Sequence, residues 1–468
     1  MEEPSAEEWR RAREELARLA DVERELVFWR ARAEKAEALA DQWRTVKNRS
    51  LWKIFAAVDQ LRARVAPPGT RRERVVLGGA QRAARAVAPL SRPPRSRGAQ
   101  VRPAGHKDVL FIYDEAGAWT SYRCDHQAEQ LEHVGMSSDI ACSTEIDLVA
   151  VIEHYGSFVL NRVQWSEEVA RFIDAARRAE RHVVFDTDDL IFERDLFLKF
   201  AAFLHDADES ARKKWGDRVN RYLKTLEACG RATVSTDPLA AYARRHVGRA
   251  DVVHNAVSSE LVDAADEVLA GRSYADQVGG GRQVTIGYLS GSASHNRDFH
   301  EAASAVLAVL EDYPQATLLI VGLLDLDARF DRFESRVTKI PKQRFHELLK
   351  LTARIDVNLA PLERKNPFNE CKSCVKYLEA ALVGVPTVAS ARPDFARVID
   401  SGQNGMLADT ASEWEESLRQ LVESRELRRT MGRVAAADVR ANHTTKARAP
   451  LLRRALLEQP TESMVGAR

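Results

Sequence analysis

"NPFNECKSCVKYLEAALVGVP", residues 366–386, lies between two short apolar runs, "IDVNLAP" (355–361) and "PTVAS" (386–390). Val375, Leu378, Leu382 and Val383 recur at helical spacing, and Gly384 and Pro386 mark where that helix ends before a buried strand. Strand, helix and strand in this order form the crossover unit of a parallel sheet. Cys371 and Cys374 make a C-x-x-C pair inside it, but Cys124, Cys142 and Cys229 each stand alone and no H-x3-5-H partner follows. A zinc site would lack its other two ligands, and Lys372 and Ser373 between the thiols do not make the turn of a redox pair. The stretch therefore reads as a helix whose polar residues face a ligand. Lys372 and Lys376 are four apart and share one face, with Glu379 three residues on and Glu370 just before the first turn. A helix followed by a buried strand is itself largely internal, where charges without partners are costly.

The same alternation runs outward in both directions. "DVLFIYD" (108–114), "SFVLNRV" (157–163), "RHVVFDTDD" (181–189), "RATVSTD" (231–237) and "ADVVHNAV" (250–257) read as strands, with helices at 121–134, 166–179 and 210–228. After "QVGGGRQ" (277–283) it restarts with "VTIGYLSG", a helix at 298–311, "ATLLIVG", a helix at 343–353, and later a helix near 411–422. The expected fold is α/β: two tandem Rossmann-like domains, 106–275 and 283–440, joined at a glycine-rich hinge and followed by a C-terminal helix and tail, 441–468. Ligands of such sheets bind outside the carboxyl ends of the strands, so two facing units create a cleft.

Upstream the composition changes twice. In residues 1–62 an a/d seam of Leu19, Val22, Leu26, Trp29, Ala33, Ala36, Ala40 and Trp43 is expected to form a coiled coil and a homodimer through residues 12–43. "NRSLWKIFAAVDQLRARV" (48–65) reads as a basic amphipathic helix. Residues 62–105 hold eleven Arg against the single acid Glu73, with six Pro, a basic linker drawn to acidic lipid headgroups. Peripheral membrane contact through 48–105 follows as an expectation. Nucleic acid does not, because no aromatic residues are interleaved to stack on bases and the whole chain is nearly neutral, 70 Lys+Arg against 69 Asp+Glu in 468 residues. Five scattered cysteines fit a reducing compartment. No apolar run reaches the roughly 18 residues of a membrane span, and the acidic start "MEEPSAEEWRRAREE" is no secretory signal. The expected location is cytoplasmic, with attachment to the inner face of the membrane.

The chemistry should sit at the strand ends. After the first strand, "YDEAGAWTSYR" has a single glycine, so no dinucleotide fingerprint is present. Arg123, at the start of the next helix, either holds an anionic acceptor or caps a surface helix. Asp186, Asp188 and Asp189 end a strand; Asp186-Thr187-Asp188 is formally a D-x-D, which could hold a divalent metal against a diphosphate. In the second domain "SGSASHNRDF" joins a strand to a helix start with Gly291, Ser292 and Arg297, a reasonable diphosphate cradle without the G-K-[ST] of a Walker loop.

"KYLEAALVGVPTVAS" followed by "VIDSGQNGML", together with "VSTDPLAAYARRH" and "VVHNAV", resembles the GT-B glycosyltransferases of the "glycosyl transferases group 1" class, over about 107–455 and most densely over 284–409. "VVFDTDDLIF", "SGSASHNRDF" and "SLWKIFAAVDQLR" are similar to segments of a bacterial subgroup that builds surface polysaccharides. The resemblance implies a mostly retaining enzyme that uses nucleotide sugars and needs no metal or other cofactor. By motif, Glu379 falls on the second Glu of the family's E-x7-E pair, which binds the nucleotide ribose. The first Glu falls on Cys371, with Glu370 one residue earlier as its substitute. The family's phosphate-binding Arg and Lys fall on Ser292 and Arg297, counted from Gly291, so Lys376 or Lys372 supplies the missing cation. Val321-Gly322 and Ile340 match positions beside the base.

The expected function is transfer of a sugar from a nucleotide-diphosphate sugar to a glycan or lipid-linked acceptor in surface-polysaccharide synthesis. Arg297, Lys376 and Glu370 are the expected catalytic residues, and Gly291, Ser292, Arg297, Gly322, Ile340, Lys372, Lys376 and Glu379 the donor site. Arg123 and Asp188 are the expected acceptor contacts. Cation charge on the departing diphosphate would supply the catalysis. Two rivals differ in kind: a metal-dependent transferase using Asp186 and Asp188, and a non-catalytic coiled-coil scaffold of a polysaccharide assembly complex with a degenerate site. An epimerase on the same fold is a third.

Overall fold

The computed structural model describes residues 106–457 except 202–203, 205–206, 272–282, 290–295 and 344. The coiled coil, the amphipathic helix, the basic linker and most of the glycine-rich hinge lie outside the described residues.

Two parallel sheets of six strands carry the fold. The front sheet contains β1 (Lys107–Tyr113), β2 (Ser138–Cys142), β3 (Tyr155–Asn161), β4 (His182–Thr187), β5 (Arg231–Val234) and β6 (Arg249–Val252) in the order β2-β1-β3-β4-β5-β6. The rear sheet contains β7 (Val284–Leu289), β8 (Ala316–Val321), β9 (Val337–Ile340), β10 (Val357–Ala360), β11 (Thr387–Ser390) and β12 (Met406–Ala408) in the order β12-β11-β10-β7-β8-β9. Central strands are continuous apolar runs, as strands covered on both faces must be; Leu110, Phe111, Val184 and Leu359 are fully buried. β2, β9 and β12 escape the sequence reading because they are edge or near-edge strands that need no such run. Lys339 in β9 is exposed, and β12 is only three residues long. The chain order reverses between β1 and β3 in front and between β7 and β10 behind, and these switch points are where such sheets hold ligands.

Helix starts follow local rules. Ser166 and Thr236 accept hydrogen bonds from the amides of Val169 and Leu239, and Thr410 with Glu413 forms a reciprocal capping box. The helix Val375–Leu382 ends at Gly384 with φ +71°, a conformation that favours glycine. Gly432, on the helix Arg425–Asn442, lies against that turn so closely that a Cβ would come within 2.0 Å of the Gly384 carbonyl oxygen. The two glycines let the helices pack backbone to backbone and fix the site-bearing helix from behind.

Two features depart from the sequence reading. The helix Thr445–Leu457, expected with a tail outside the domains, returns to the front domain: Leu452, Ala455 and Leu456 pack with Val109, Phe111 and Leu131. Its crossing is pinned where the amide of Val257 donates to His443 O (2.9 Å) and that of Thr445 to Val257 O (2.9 Å). The second departure is in the opening stretch itself. It is two helices, Pro367–Glu370 and Val375–Leu382, separated by a break at Cys371–Cys374. Lys372 therefore lies in the break, and the face it was expected to share with Lys376 does not exist.

That break is where the rear domain inserts into the front one. Cys371 is part of the front core, whereas Cys374 packs in the rear core with Tyr377 and Leu378. The thiols of the C-x-x-C pair thus point into different domains, and burial pushes Cys371 up to about 12 and Cys374 well above its ordinary value. Thr236 donates to Cys371 O (2.9 Å), Asn255 donates to Ser373 Oγ (3.0 Å), and Phe368 meets Phe197 edge to face at 5.9 Å between centroids.

Candidate functional site

At the rear switch point one cation is left bare. Lys376, on the first turn of Val375–Leu382, points its ammonium back toward β7, where Nζ sits 4.6 Å from the centroid of the Tyr288 ring. The nitrogen is buried and has no hydrogen-bond partner among the described residues. Burial lowers its proton affinity to about 8, while the charges of Asp298 and Glu379 work the other way. Asp298 does not pair with it; its Oδ1 accepts from the Glu363 amide (3.0 Å) and from Asn369 Nδ2 (2.7 Å), which ties the start of the helix Asn296–Asp312 to the loop after β10. A buried ammonium with three donors and no acceptor among the described residues has the capacity to hold an anion, because leaving such a group unsatisfied is otherwise costly.

One helical turn on, Glu379 meets the front domain. Its Oε1 accepts a hydrogen bond from Tyr122 Oη at 2.7 Å. Burial raises the proton affinity of Glu379, partly offset by that bond and by the charge of Lys376; Tyr122 is raised well above its ordinary value by burial and then by Glu379. Tyr122 lies in a π-helical turn, Ser121–Asp125, between the helical pieces Ala118–Thr120 and His126–His133.

The next residue in that turn corrects an expectation. Arg123 neither caps a surface helix nor faces an acceptor: it is 0% exposed. Its Nε and Nη2 donate to the two carboxylate oxygens of Asp186 (3.0 and 2.6 Å), and Nη1 donates to Val253 O (2.6 Å) and Asn255 Oδ1 (3.0 Å). Asp186 accepts further bonds from Asn161 Nδ2 (2.9 Å) and Thr233 Oγ1 (2.7 Å). Both oxygens are thus occupied by the protein, and the D-x-D loses its first member as a metal ligand.

Asp188 is also spoken for. Arg162, at the end of β3 with φ 50°, donates to Asp188 and, at 2.7 Å, to Asp189 Oδ2, with its guanidinium 4.6 Å from the Trp119 ring. Asp189 Oδ1 in turn accepts from Lys372 Nζ at 2.5 Å, across the domain boundary. Although burial opposes it, the charges of Lys372 and Arg162 hold Asp189 well below the usual carboxylate range. Lys372 is therefore a cross-domain ion pair next to the site, close enough to Lys376 to lower its proton affinity further. Asp188, expected at the acceptor, is an ion-pair partner at the front strand ends.

The remaining expected residues divide. Gly322, with φ 105°, donates its amide to Ile340 O (2.8 Å) at the paired ends of β8 and β9, so these two do come together at one edge of the rear sheet. Ile340 is the last residue of a strand rather than part of a loop. Arg297 is at the start of its helix as expected, but its side chain is 52% exposed and ion-paired with Glu363. Glu370 accepts from Arg392 Nη1 (2.9 Å), and Arg392 Nη2 also binds Asp409, on the side of β11 and β12. Gly291 and Ser292 lie outside the described residues. Sequence reasoning missed Tyr122, Arg162, Asp189 as the partner of Lys372, and Asp298. Only Asp298, a carboxylate in a first helical turn, carried a signal.

Residues 297–454 match a family model described as glycosyl transferase-like. These residues cover most of the rear domain. The rear sheet and the front one are the two Rossmann-like parallel sheets expected from the sequence. No curated protein matches the chain. Among solved structures, the chain is similar to HepE of Anabaena in complex with UDP, at 14% identity over 73% of this chain and 97% of that one, TM-score 0.49. It is similar to the sucrose-phosphate synthase of Thermosynechococcus elongatus, at 15% identity over 74% and 97%, TM-score 0.48. WaaG, described as a glycosyltransferase involved in lipopolysaccharide biosynthesis, is 13% identical over 74% and 98%, TM-score 0.46. Among the described residues, no helix is long and apolar enough to cross a membrane, and no cluster of three or more His, Cys, Asp or Glu is placed to hold a metal ion.

Proposed function

We propose that the protein transfers a sugar, with retention, from a nucleoside-diphosphate sugar to a glycan or lipid-linked acceptor in the synthesis of a cell-surface polysaccharide. The observation that carries this reading is Lys376: a buried ammonium with no hydrogen-bond partner among the described residues, one turn from a carboxylate, at the rear switch point, in the stretch that matches a glycosyl transferase-like family model. In the reaction the bond between the anomeric carbon and the diphosphate oxygen breaks, and negative charge grows on the diphosphate. Lys376 stabilises that charge from a site with few competing dipoles, where electrostatics act strongly. Glu379 accepts hydrogen bonds from ribose hydroxyls. Lys372 is a second cation beside the diphosphate if it leaves Asp189. Arg297, exposed and at a helix start, stays at the rim of the site. Among the described residues no carboxylate is spaced for a double displacement, so the acceptor hydroxyl attacks on the face the leaving group departs from, forms the new glycosidic bond and passes its proton to the departing diphosphate oxygen. No metal enters this scheme. Upstream, residues 12–43 would make a dimer and residues 48–105 would contact the membrane carrying the acceptor.

Titration calorimetry with UDP, GDP, ADP and CDP tests the donor site. One of them should bind the intact chain, and Lys376→Met should weaken that binding at least about tenfold while the protein stays folded. Failure of all four to bind overturns the reading.

Cys371 favours a second reading, a non-catalytic scaffold. It occupies the position of the family's first Glu and is buried in the front core, so no carboxylate stands there for the donor sugar. Nucleotide release from a nucleotide sugar by the intact protein separates the two: turnover removes the scaffold reading, and binding without turnover supports it.

A further inference from the structure

Tyr122 is contributed to the rear-domain site by the front domain, and nothing in the E-x7-E pattern calls for it. Its phenol donates to Glu379 Oε1 at 2.7 Å across 257 positions of sequence. The turn that holds it is built for that reach. A π-helical turn inserts an extra residue into the helix after β1, at the front switch point, and Arg123 anchors the turn through four hydrogen bonds to Asp186, Val253 and Asn255. The ring of His126, one turn on, packs edge to face on Tyr122 at 4.7 Å, and His126 Nδ1 is bonded to Ala256 O (2.8 Å). The turn that carries the phenol and the ring packed on it are thus each held by hydrogen bonds.

We propose that Tyr122 is a positioning residue of the donor site: it fixes the carboxylate of Glu379 in the orientation that receives the ribose diol, so that nucleotide is held well only when the front and rear domains are together. This rests on the donor-binding reading above. The phenol takes one lone pair of one carboxylate oxygen. A carboxylate has about four such sites, so the ribose hydroxyls bind alongside Tyr122 rather than in place of it.

The test uses whichever of UDP, GDP, ADP and CDP binds the intact chain most tightly, and its 2′,3′-dideoxy counterpart. Tyr122→Phe should weaken the ribonucleotide by about tenfold, the scale of one hydrogen bond to a charged group. It should leave the dideoxy nucleotide unchanged, since that ligand makes no diol contact, and at saturating donor kcat should hold while KM rises. Glu379→Gln should show the same dependence on the ribose hydroxyls, and adding Tyr122→Phe to it should cost nothing more. Equal loss for both nucleotides would mean that Tyr122 acts only on the fold and would overturn the proposal. Tighter binding by Tyr122→Phe would overturn it too, by making the phenol a competitor of ribose. If no nucleotide binds the unmodified chain, the functional reading itself fails; if nucleotide binds and Tyr122→Phe changes nothing, only this inference does.

Discussion

The two switch points of this molecule each hold a buried cation, and the two cations are treated in opposite ways. In the front sheet Arg123 is fully enclosed and satisfied, with a bidentate carboxylate, a carbonyl and an amide oxygen around one guanidinium. In the rear sheet Lys376 is buried against an aromatic ring with no acceptor among the described residues. A saturated charge has no capacity left for a ligand and serves as architecture. An unsaturated one costs stability, and that cost is repaid only when an anion arrives. Position at a strand end does not separate the two; occupancy of their hydrogen bonds does.

Substitutions at the two cations should therefore fail in opposite ways. The largest effect is expected at the front. Arg123→Met strands the Asp186 carboxylate and should cost about 3–5 kcal/mol of stability, read as a large fall in the urea midpoint. A small loss there would break the comparison. At the rear, Lys376→Met should lower kcat by about 10²–10³, the scale of removing one preorganised electrostatic contact, while the melting temperature holds or rises because an unpaired buried charge is gone.

Proton linkage sharpens the contrast. Lys376 ionises at about 8 in the folded chain against an ordinary 10.5, so between these values the unfolded chain binds more protons. Stability should rise with pH through that window, and nucleotide affinity should fall as pH climbs past about 8, because the anion site needs the charged form. Lys376→Met should flatten both profiles; an unchanged affinity profile in that variant would show that another group titrates.

A smaller effect is expected at the Lys372–Asp189 pair. Asp189→Asn releases Lys372 from its 2.5 Å contact and should change stability by about 1 kcal/mol, since the pair is partly exposed. Donor affinity should rise modestly, because the ammonium is then available to the diphosphate. The smallest effect is none: a chelator should leave turnover unchanged, because the oxygens of Asp186 and the Oδ1 of Asp188 are already engaged by Arg123, Asn161, Thr233 and Arg162.

Much of the fold was legible because parallel strands buried on both faces must be apolar runs, and those runs alternate visibly with helical spacing. The edge strands β2 and β9 and the three-residue β12 were not, since an edge tolerates Asp139 or Lys339. Within the site, Lys376 and Glu379 were legible as charges on a largely internal helix. Lys372 was misread because a helical pattern gives no sign of the break at Cys371–Cys374. Arg123 was misread because its partner lies 63 positions away.

What the chain order determined alone is the pair of parallel sheets and the helix that brings charge to the second sheet's switch point. These follow from local periodicity, which each segment carries within itself. Only the folded structure decided which polar groups were spent on one another: Arg123 on Asp186, Lys372 on Asp189, Tyr122 on Glu379, and Lys376 on none of the described residues. Those pairings join residues far apart in the chain, and whether a buried charge is satisfied depends on every group around it in space.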